Sequence, residues 1–235
     1  MRLTIYVPTF RRSELDVCLA SIIPQLTNEV ELIVSDNDPQ QFAKNISLRY
    51  PQAQYSNRHY NIEGDPNVLR GLACGSGEYV WVFGDDDTML PGAIETLLPI
   101  LDGVDRVIHW SANAGETGAG FNGTMPDYIT SLTDKSILVA STLITANVWR
   151  RTATNVALGL NKVDTRYPLF WAGLGCETVK VMSQPTITVG HIHQNVFGFF
   201  NEVIDDYLRS LVAHHNVPAI PLKDVLHWNF VNVSQ

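Results

Sequence analysis

Through the first 110 positions of the chain, short runs of consecutive apolar residues alternate with segments in which apolar residues recur every three or four positions. The runs predict five strands, at 3–7, 30–34, 54–57, 79–83 and 106–110. Between them, apolar residues recur every three or four positions, which predicts amphipathic helices. Because strands and helices alternate, we expect an α/β fold with a mostly parallel central sheet and helices on both faces.

Residues that favour helix ends mark the limits of these predicted helices. Ser13 is predicted to cap the first helix, and Asp38 the second, with Pro39 at its first helical position. The third helix is expected to stop at the Gly-Ser-Gly sequence of 75–77. Pro91 is predicted to open the fourth.

The run at 79–83 leads directly into three adjacent carboxylates, Asp85, Asp86 and Asp87. Five consecutive apolar residues are typical of a strand that is buried on both faces at the centre of a parallel sheet. The acids then lie at its carboxyl end, the edge where open α/β sheets bind ligands. Because adjacent carboxylates repel one another, a divalent cation such as Mg²⁺ or Mn²⁺, shared with a substrate phosphate, is expected among them.

Polar residues follow the other predicted strands in the same way. Residues 9–11 follow the first strand, Asp36 the second and Arg58 the third. Parallel strands end at one edge of the sheet, so one crevice is expected to collect these groups together with the acids at 85–87. This convergence supports a binding site more strongly than any one residue does.

Each of these residues also has a simpler interpretation. An acidic triplet after a strand is often a solvated turn, and Asp87 could cap the helix that starts near Pro91. Arg11 and Arg12 could be solvated loop charges, and Asp36 could serve only to shape its turn.

The second half of the chain has weaker patterns. Residues 112–123 are rich in Gly, Asn and Thr and are expected to form a loop, with a possible role as a lid. Residues 137–151 fit a strand or a helix equally well. Two short strands are expected at 179–182 and 186–189, and an amphipathic helix at 203–212.

Composition narrows the class of protein. The formal charge of −8 argues against a broad contact with nucleic acid or an anionic membrane. Three widely spaced cysteines indicate neither a zinc site nor a disulfide framework, which fits a reducing cytoplasm. The first residues resemble a strand rather than a signal peptide, and no stretch approaches the ~18 apolar residues of a membrane span.

Four motifs in this order resemble the family 2 glycosyltransferases: Val-Pro-Thr-Phe-Arg-Arg at 7–12, Val-Ser-Asp-Asn at 34–37, Gly-Glu-Tyr at 77–79, and the acids at 85–87. The resemblance covers about the first 100 residues. It implies a Rossmann-like, glycosyltransferase A-type fold, a nucleotide-diphosphate-sugar donor, a divalent metal (Mn or Mg) and inversion at the anomeric carbon. Residues 1–110 would bind the donor and 111–235 the acceptor, within one continuous domain.

The resemblance also implies roles for individual residues. Asp36 would bond the base, often a pyrimidine, which favours a UDP-type donor, and Asp85 would approach the ribose. Asp86 would be the main metal contact to the diphosphate, with Asp87 and His193 as further ligands. One departure is Gly84, where many members have an Asp. The residues expected to bind the nucleotide-sugar are Pro8, Thr9, Phe10, Arg11, Asp36, Arg58, Asn67 and Asp85.

The general base for an inverting transfer has no clear match, because the acidic pair that many members carry is missing. Asp164 is the nearest candidate and Glu177 the second, although a loop residue before a helix explains Asp164 equally well. The aromatic residues Tyr167, Phe170 and Trp171 could stack on a sugar or simply belong to the core.

The sequence therefore predicts a metal-dependent inverting glycosyltransferase that acts on a glycan, a lipid-linked saccharide or a similar acceptor. We expect it in the cytoplasm, with possible contact at the inner face of the membrane and possible homo-oligomers. One alternative is a sugar nucleotidyltransferase, although the loop after the first strand has no glycine. The other is a nucleotide-sugar-binding subunit that has lost its base.

Overall fold

The computed structural model describes residues 1–113, 120–132, 143–153 and 176–190, in which nine strands form one sheet. The strands are β1 Leu3–Thr9, β2 Val30–Asp36, β3 Ala53–Asn57, β4 Tyr79–Val82, β5 Thr88–Met89, β6 Arg106–Ser111, β7 Phe121–Thr124, β8 Asn147–Arg150 and β9 Thr178–Thr188. The helices are α1 Leu15–Ile22, α2 Lys44–Ser47, α3 Gly64–Ala73, α4 Ala93–Leu97 and α5 Met125–Ser131. None of these described helices is long and apolar enough to span a membrane.

The first half of the chain forms the parallel part of the sheet. The strand order is β3-β2-β1-β4, and each neighbouring pair is parallel. The register pairs Thr9 with Asp36, and Asp36 with Asn57, at the carboxyl ends of β1, β2 and β3. The predicted meeting of strand ends at one edge is confirmed.

The second half of the sheet is mixed, so the expectation of a mostly parallel sheet holds only for β1 to β4. Strand β8 is antiparallel to both β4 and β6, and β9 is parallel to β6. Strands β5 and β7 are both antiparallel to β9. Since β8 lies between β4 and β6, the sheet is continuous across position 110.

Three weak patterns of the second half resolve into strands. The segment 147–150, for which the sequence allowed either state, is β8. Residues 121–123, expected in a loop, belong to β7, while 114–119 lie outside the described residues. The two short strands expected around Pro185 are one strand, β9, because register shifts opposite Trp110 accommodate the proline within the pairing. The expected helix at 203–212 is outside the described part of the chain.

Strand β4 is buried on both faces, as its five apolar residues predicted. Trp81 and Phe83 pack in a large cluster with apolar residues of α1 and α4. Val80 and Val82 point to the opposite face and pack in a second cluster, which includes Leu72 of α3. The expectation of helices on both faces is therefore confirmed.

Three predicted helix starts are wrong, because local partners differ from those that the sequence suggested. Ser13 donates to the carboxylate of Glu14 instead of capping α1, which begins at Leu15. Asp38 pairs with Arg11 and interacts with the backbone N–H groups of Gln40 and Phe42, so it stabilises a turn at Pro39, and α2 begins only at Lys44. Helix α4 begins at Ala93, after Pro91 and a left-handed Gly92. The predicted end of α3 before the left-handed Gly75 is confirmed.

Candidate active site

The three adjacent acids after β4 have three different environments. Asp85 contacts the end of β1, Asp86 is partly exposed, and Asp87 turns into the protein. Because the turn directs neighbouring side chains in different directions, the triplet is a set of distinct carboxylates rather than one patch of negative charge.

Asp85 is tied to the loop that follows β1. The hydroxyl of Thr9 donates to its Oδ2 over 2.7 Å. Burial raises the pKa of the Asp85 carboxyl to about 6, against the opposing effects of the Thr9 hydrogen bond and the charge of Arg12. This contact joins the two strand ends that the sequence placed at the same edge.

Asp86 is partly exposed and faces Arg12. Its side chain is 23% exposed, and its Oδ2 lies 3.8 Å from Nη1 of Arg12. The residues from the ends of β1 and β4 thus bring one cation and two carboxylates together. The sequence leaves Arg12 open between a solvated loop charge and a cation that shares the charge of a diphosphate, and the structure places it beside Asp86.

Asp87 is 6% exposed, and both of its carboxylate oxygens accept hydrogen bonds from the protein. Oδ1 accepts from the backbone N–H of Gly190 over 2.7 Å. Oδ2 accepts from the hydroxyl of Thr145. Burial raises the pKa of this carboxyl to about 6, although the Thr145 hydrogen bond opposes the shift. Asp87 does not cap α4, whose N-cap is Gly92.

Asp36, the predicted base contact, is 2% exposed and shapes the loop that follows β2. Its Oδ1 accepts from the backbone N–H of Asp38 over 2.9 Å. Its Oδ2 accepts from the N–H of Ala43 and from the hydroxyl of Tyr55, over 3.0 and 2.8 Å. The contact to a nucleobase stays a prediction, and it would add to these three hydrogen bonds.

The loops after β1, β2 and β3 are linked to one another. Arg11 pairs with Asp38 over 3.0 Å, and Gln41 contacts His59 over 3.1 Å through their side-chain nitrogens. All four non-glycine residues with positive φ in the described chain lie in these loops: Arg11, Gln41, His59 and Glu63. Left-handed backbone in non-glycine residues is costly and concentrates at functional sites. The four left-handed residues therefore support a binding site at this edge of the sheet.

The remaining predicted donor contacts divide into exposed and buried residues. Phe10 is 42% exposed, with the guanidinium of Arg11 lying 5.2 Å from the centre of its ring. Pro8 is half-buried at the end of β1, paired with Ser35, and Arg58 is exposed. Asn67 is buried, and its amide bonds Tyr6 and Ser35, so that it fastens α3 to β1 and β2.

Glu177 lies at the opposite edge of the sheet. It directly precedes β9. Strands β4 and β6 run in the same direction because each is antiparallel to β8, and β9 is parallel to β6. The start of β9, and Glu177 with it, therefore lies at the amino ends of these strands, whereas the acids follow the carboxyl end of β4. The eleven extended residues of β9, roughly 36 Å, separate it from the end of the strand that leads to Gly190, the contact of Asp87. The structure does not bring this candidate base to the acids. Asp164 and His193 lie outside the described residues, as do Tyr167, Phe170 and Trp171.

The donor set fits a divalent cation that is shared with a substrate. Mg²⁺ and Mn²⁺ are commonly held by one or two carboxylates, with phosphates and water supplying the rest. Asp86 offers a partly exposed carboxylate of this type, and Asp85 is its neighbour. Among the described residues, no three acidic, histidine or cysteine side chains form a complete metal cage.

Sequence reasoning missed two partners of the acid turn, Thr145 and Gly190. They lie 58 and 103 positions from Asp87, Thr145 in the ambiguous segment 137–151 and Gly190 directly after the strand expected at 186–189. A glycine beside the His-Ile-His sequence of 191–193 was the one available signal for the second.

A family model described as glycosyl transferase family 2 matches residues 4–134, which is more than half of the chain. Among curated proteins, a Campylobacter jejuni GalNAc(5)-diNAcBac-PP-undecaprenol beta-1,3-glucosyltransferase is 34% identical over 103 residues, 41% of this chain. The abequosyltransferase RfbV of Salmonella typhimurium is 27% identical over 111 residues, 43% of this chain. Each match spans 33% of the relative, so the chain covers about a third of the length of these proteins.

Solved structures share the fold at low identity. S. aureus TarS 1–349 in complex with UDP-GlcNAc has a TM-score of 0.66 and 15% identity, over 90% of this chain and 67% of TarS. The mannosyltransferase PcManGT from Pyrobaculum calidifontis, in complex with GDP-Man and Mn²⁺, has a TM-score of 0.59 and 14% identity, over 96% of this chain and 68% of the other. The expected glycosyltransferase A-type fold is confirmed.

Proposed function

The chain belongs to glycosyl transferase family 2, and on that premise we propose that it transfers a sugar from a nucleotide-diphosphate donor to an acceptor hydroxyl, with inversion and with a divalent cation. The observation that carries the proposal is the contact between Thr9 and Asp85. It joins the nucleotide loop after β1 to the acids after β4, so that a donor's nucleoside and diphosphate would meet both at one edge.

Asp85 and Asp86 would hold different parts of the donor. Asp85, oriented by Thr9, would face the ribose, and Asp86 would hold the metal, with Arg12 adding positive charge beside it. When bound, the cation would neutralise the charge that develops on the departing diphosphate. His193 is a further proposed ligand.

Inversion requires one displacement at the anomeric carbon. The acceptor oxygen attacks on the face opposite the diphosphate, the bond from the anomeric carbon to the diphosphate oxygen breaks, and a base takes the hydroxyl proton. Since Glu177 lies at the opposite edge, we propose Asp164 for this role.

For the donor we propose a UDP-sugar, and for the acceptor a lipid-linked saccharide at the inner face of the membrane. The UDP-GlcNAc complex of TarS supports the UDP-sugar. A GDP-sugar is the alternative donor, because PcManGT was solved with GDP-Man. The PP-undecaprenol acceptor in the name of the C. jejuni relative supports the lipid-linked saccharide.

The proposal is tested by measuring how nucleotides shift the Tm of the protein, and then by measuring turnover of the donor. UDP, GDP and their sugars are added with and without Mn²⁺ to the wild type, Asp86→Asn and Asp102→Asn. Asp102 is an 82% exposed acid paired with Arg2, so its variant controls for lost surface charge. A ligand at a hundredfold excess over its Kd stabilises the folded state by about 2.7 kcal/mol.

We expect a metal-dependent shift with UDP that Asp86→Asn abolishes and Asp102→Asn retains, together with donor turnover in the wild type. A metal-dependent shift without any turnover or transfer would favour a binding subunit. Release of free diphosphate from a nucleoside triphosphate and a sugar phosphate would favour a nucleotidyltransferase. No shift with any nucleotide would overturn the proposal.

A further inference from the structure

Asp87 fixes both ends of the turn that carries the three acids. Its own backbone N–H donates to the carbonyl of Gly84 over 3.2 Å. Its carboxylate holds the hydroxyl of Thr145, which in turn accepts from the N–H of Gly84 over 2.8 Å. The start and the end of the turn are therefore tied through one side chain and one hydroxyl.

Thr145 is itself held firmly by the core. It is 1% exposed, and its carbonyl accepts from the indole N–H of Trp81 over 2.8 Å. Trp81 belongs to β4, the strand that leads into the turn. Buried contacts with the core therefore fix the position of Thr145 independently of its hydrogen bond to Asp87.

Gly190 closes the arrangement from the end of β9. Its N–H donates to Asp87, and its α-carbon packs on the main chain of Asp86. A Cβ at this position would lie 2.2 Å from the carbonyl oxygen of Asp86, a distance that no side chain tolerates. Three segments distant in sequence therefore meet at the carboxylate of Asp87.

We propose that Asp87 is a positioning residue for Asp86 and not a ligand of the metal. This inference rests on the proposed function and deepens it. Asp87 is 6% exposed, and to reach a cation in the open crevice its carboxylate would have to give up the hydrogen bonds from the Gly190 N–H and the Thr145 hydroxyl. Held in place, it presents the neighbouring Asp86 to the open side of the turn.

Isosteric amides separate a ligand from a positioning residue. In Asp87→Asn, the amide oxygen still accepts from Gly190, and the NH₂ donates to the Thr145 oxygen, which has a lone pair free beside the Gly84 N–H. The Thr145 proton loses its carboxylate acceptor, but the links across the turn are kept without the charge. In Asp86→Asn, the partly exposed acid loses its charge and with it a metal contact. The probe is Mn²⁺, titrated by electron paramagnetic resonance into the full chain with saturating UDP or GDP, which measures affinity independently of turnover.

We expect Asp87→Asn to keep Mn²⁺ affinity within about threefold and Asp86→Asn to lose at least about tenfold. Equal losses in both variants would make Asp87 a ligand and overturn the inference. If the wild type binds no Mn²⁺ with either nucleotide, the proposed metal dependence fails first and the inference fails with it. The two failures are thus distinguishable.

Variants that touch no acid test the positioning role. Thr145→Val removes the hydroxyl at nearly constant shape, Thr145→Ser restores it, and Gly190→Ala adds the methyl that would meet Asp86. Gly64→Ala is the control, because an added Cβ there meets nothing within 4 Å.

We expect Thr145→Val and Gly190→Ala to weaken Mn²⁺ binding by about tenfold and to lower kcat, and Thr145→Ser and Gly64→Ala to behave like the wild type. Wild-type Mn²⁺ affinity in both Thr145→Val and Gly190→Ala, with only a lower Tm, would make the contacts purely structural and overturn the inference.

Discussion

The hydroxyl of Thr9 donates to the carboxylate of Asp85 across 76 positions of sequence, and it does so at the carboxyl ends of two adjacent parallel strands. The hydrogen bond helps to orient a buried acid that also lies near the backbone N–H of Phe10 and the charge of Arg12. It connects the loop expected to hold the nucleotide with the acids expected to hold the diphosphate.

Removing this hydroxyl should weaken donor binding. We expect Thr9→Val to raise the donor KM about tenfold, equivalent to about 1.4 kcal/mol, because Asp85 loses the group that orients it. Thr9→Ser keeps the hydroxyl and serves as the control. Steady-state kinetics with varied donor decide the matter, and an unchanged KM in Thr9→Val would remove Asp85 from the donor site.

The hydrogen bond from Tyr55 to Asp36 should contribute measurably to stability. Tyr55→Phe removes one of three donors to a carboxylate that is 2% exposed, so the free energy of unfolding should fall by about 1.5 kcal/mol. Tyr60→Phe, at a residue that is 55% exposed, should change it by less than about 0.5 kcal/mol. Urea denaturation of both variants measures the difference, and equal losses would contradict the prediction.

His109 should make the protein less stable in acid. Its ring stacks on Trp81, its Nδ1 lies 2.6 Å from the hydroxyl oxygen of Thr186, and burial lowers its pKa to about 3. In the unfolded chain the imidazole of His109 is protonated below about pH 6.5, whereas in the folded protein it stays neutral down to about pH 3. The free energy of unfolding therefore loses up to about 1.4 kcal/mol per pH unit as the pH falls below 6.5.

The buried acids act in the opposite direction, so the effect of His109 must be isolated by a variant. The pKa values of Asp85 and Asp87 are raised to about 6, and these residues therefore favour the folded state as the pH falls from about 6 towards 3.8. His109→Phe keeps a ring beside Trp81 and leaves both acids in place. Denaturation at pH 7 and pH 5 should show a smaller acid loss in the variant than in the wild type, and parallel losses would contradict the assignment.

The two candidate bases should differ in their effect on turnover. Glu177→Gln should leave kcat unchanged, because Glu177 precedes the far end of β9. Asp164→Asn should lower kcat by about 10² to 10⁴, the usual contribution of a general base. Rate measurements at saturating donor and acceptor compare them, and a large loss in Glu177→Gln would refute the placement.

The sequence predicted the parallel edge well, because the signals are local. The apolar run of β4 and the acids after it occupy nine consecutive positions, and each further loop directly follows its own strand. Helix starts were predicted less well, since capping depends on which partner a side chain finds. Asp38 pairs with Arg11, 27 positions away, and its carboxylate supports a turn rather than the start of α2.

The inward role of Asp87 could not be predicted from spacing. Its two partners lie 58 and 103 positions away, and only folding brings Thr145 and Gly190 to the same carboxylate. In the sequence, the three identical acids look equivalent, and only their partners and burial in the folded chain distinguish them.

The place of β8 in the sheet has a consequence for synthesis on the ribosome. Strand β4 is complete by residue 82, yet the neighbour that satisfies its outer backbone groups is made only at 147–150. Until then, β4 is an apolar edge strand whose unpaired N–H and C=O groups could recruit another chain. A nascent chain stalled near residue 110 would therefore be prone to aggregation, and the parallel half of the sheet gains its protection only when translation has passed β8.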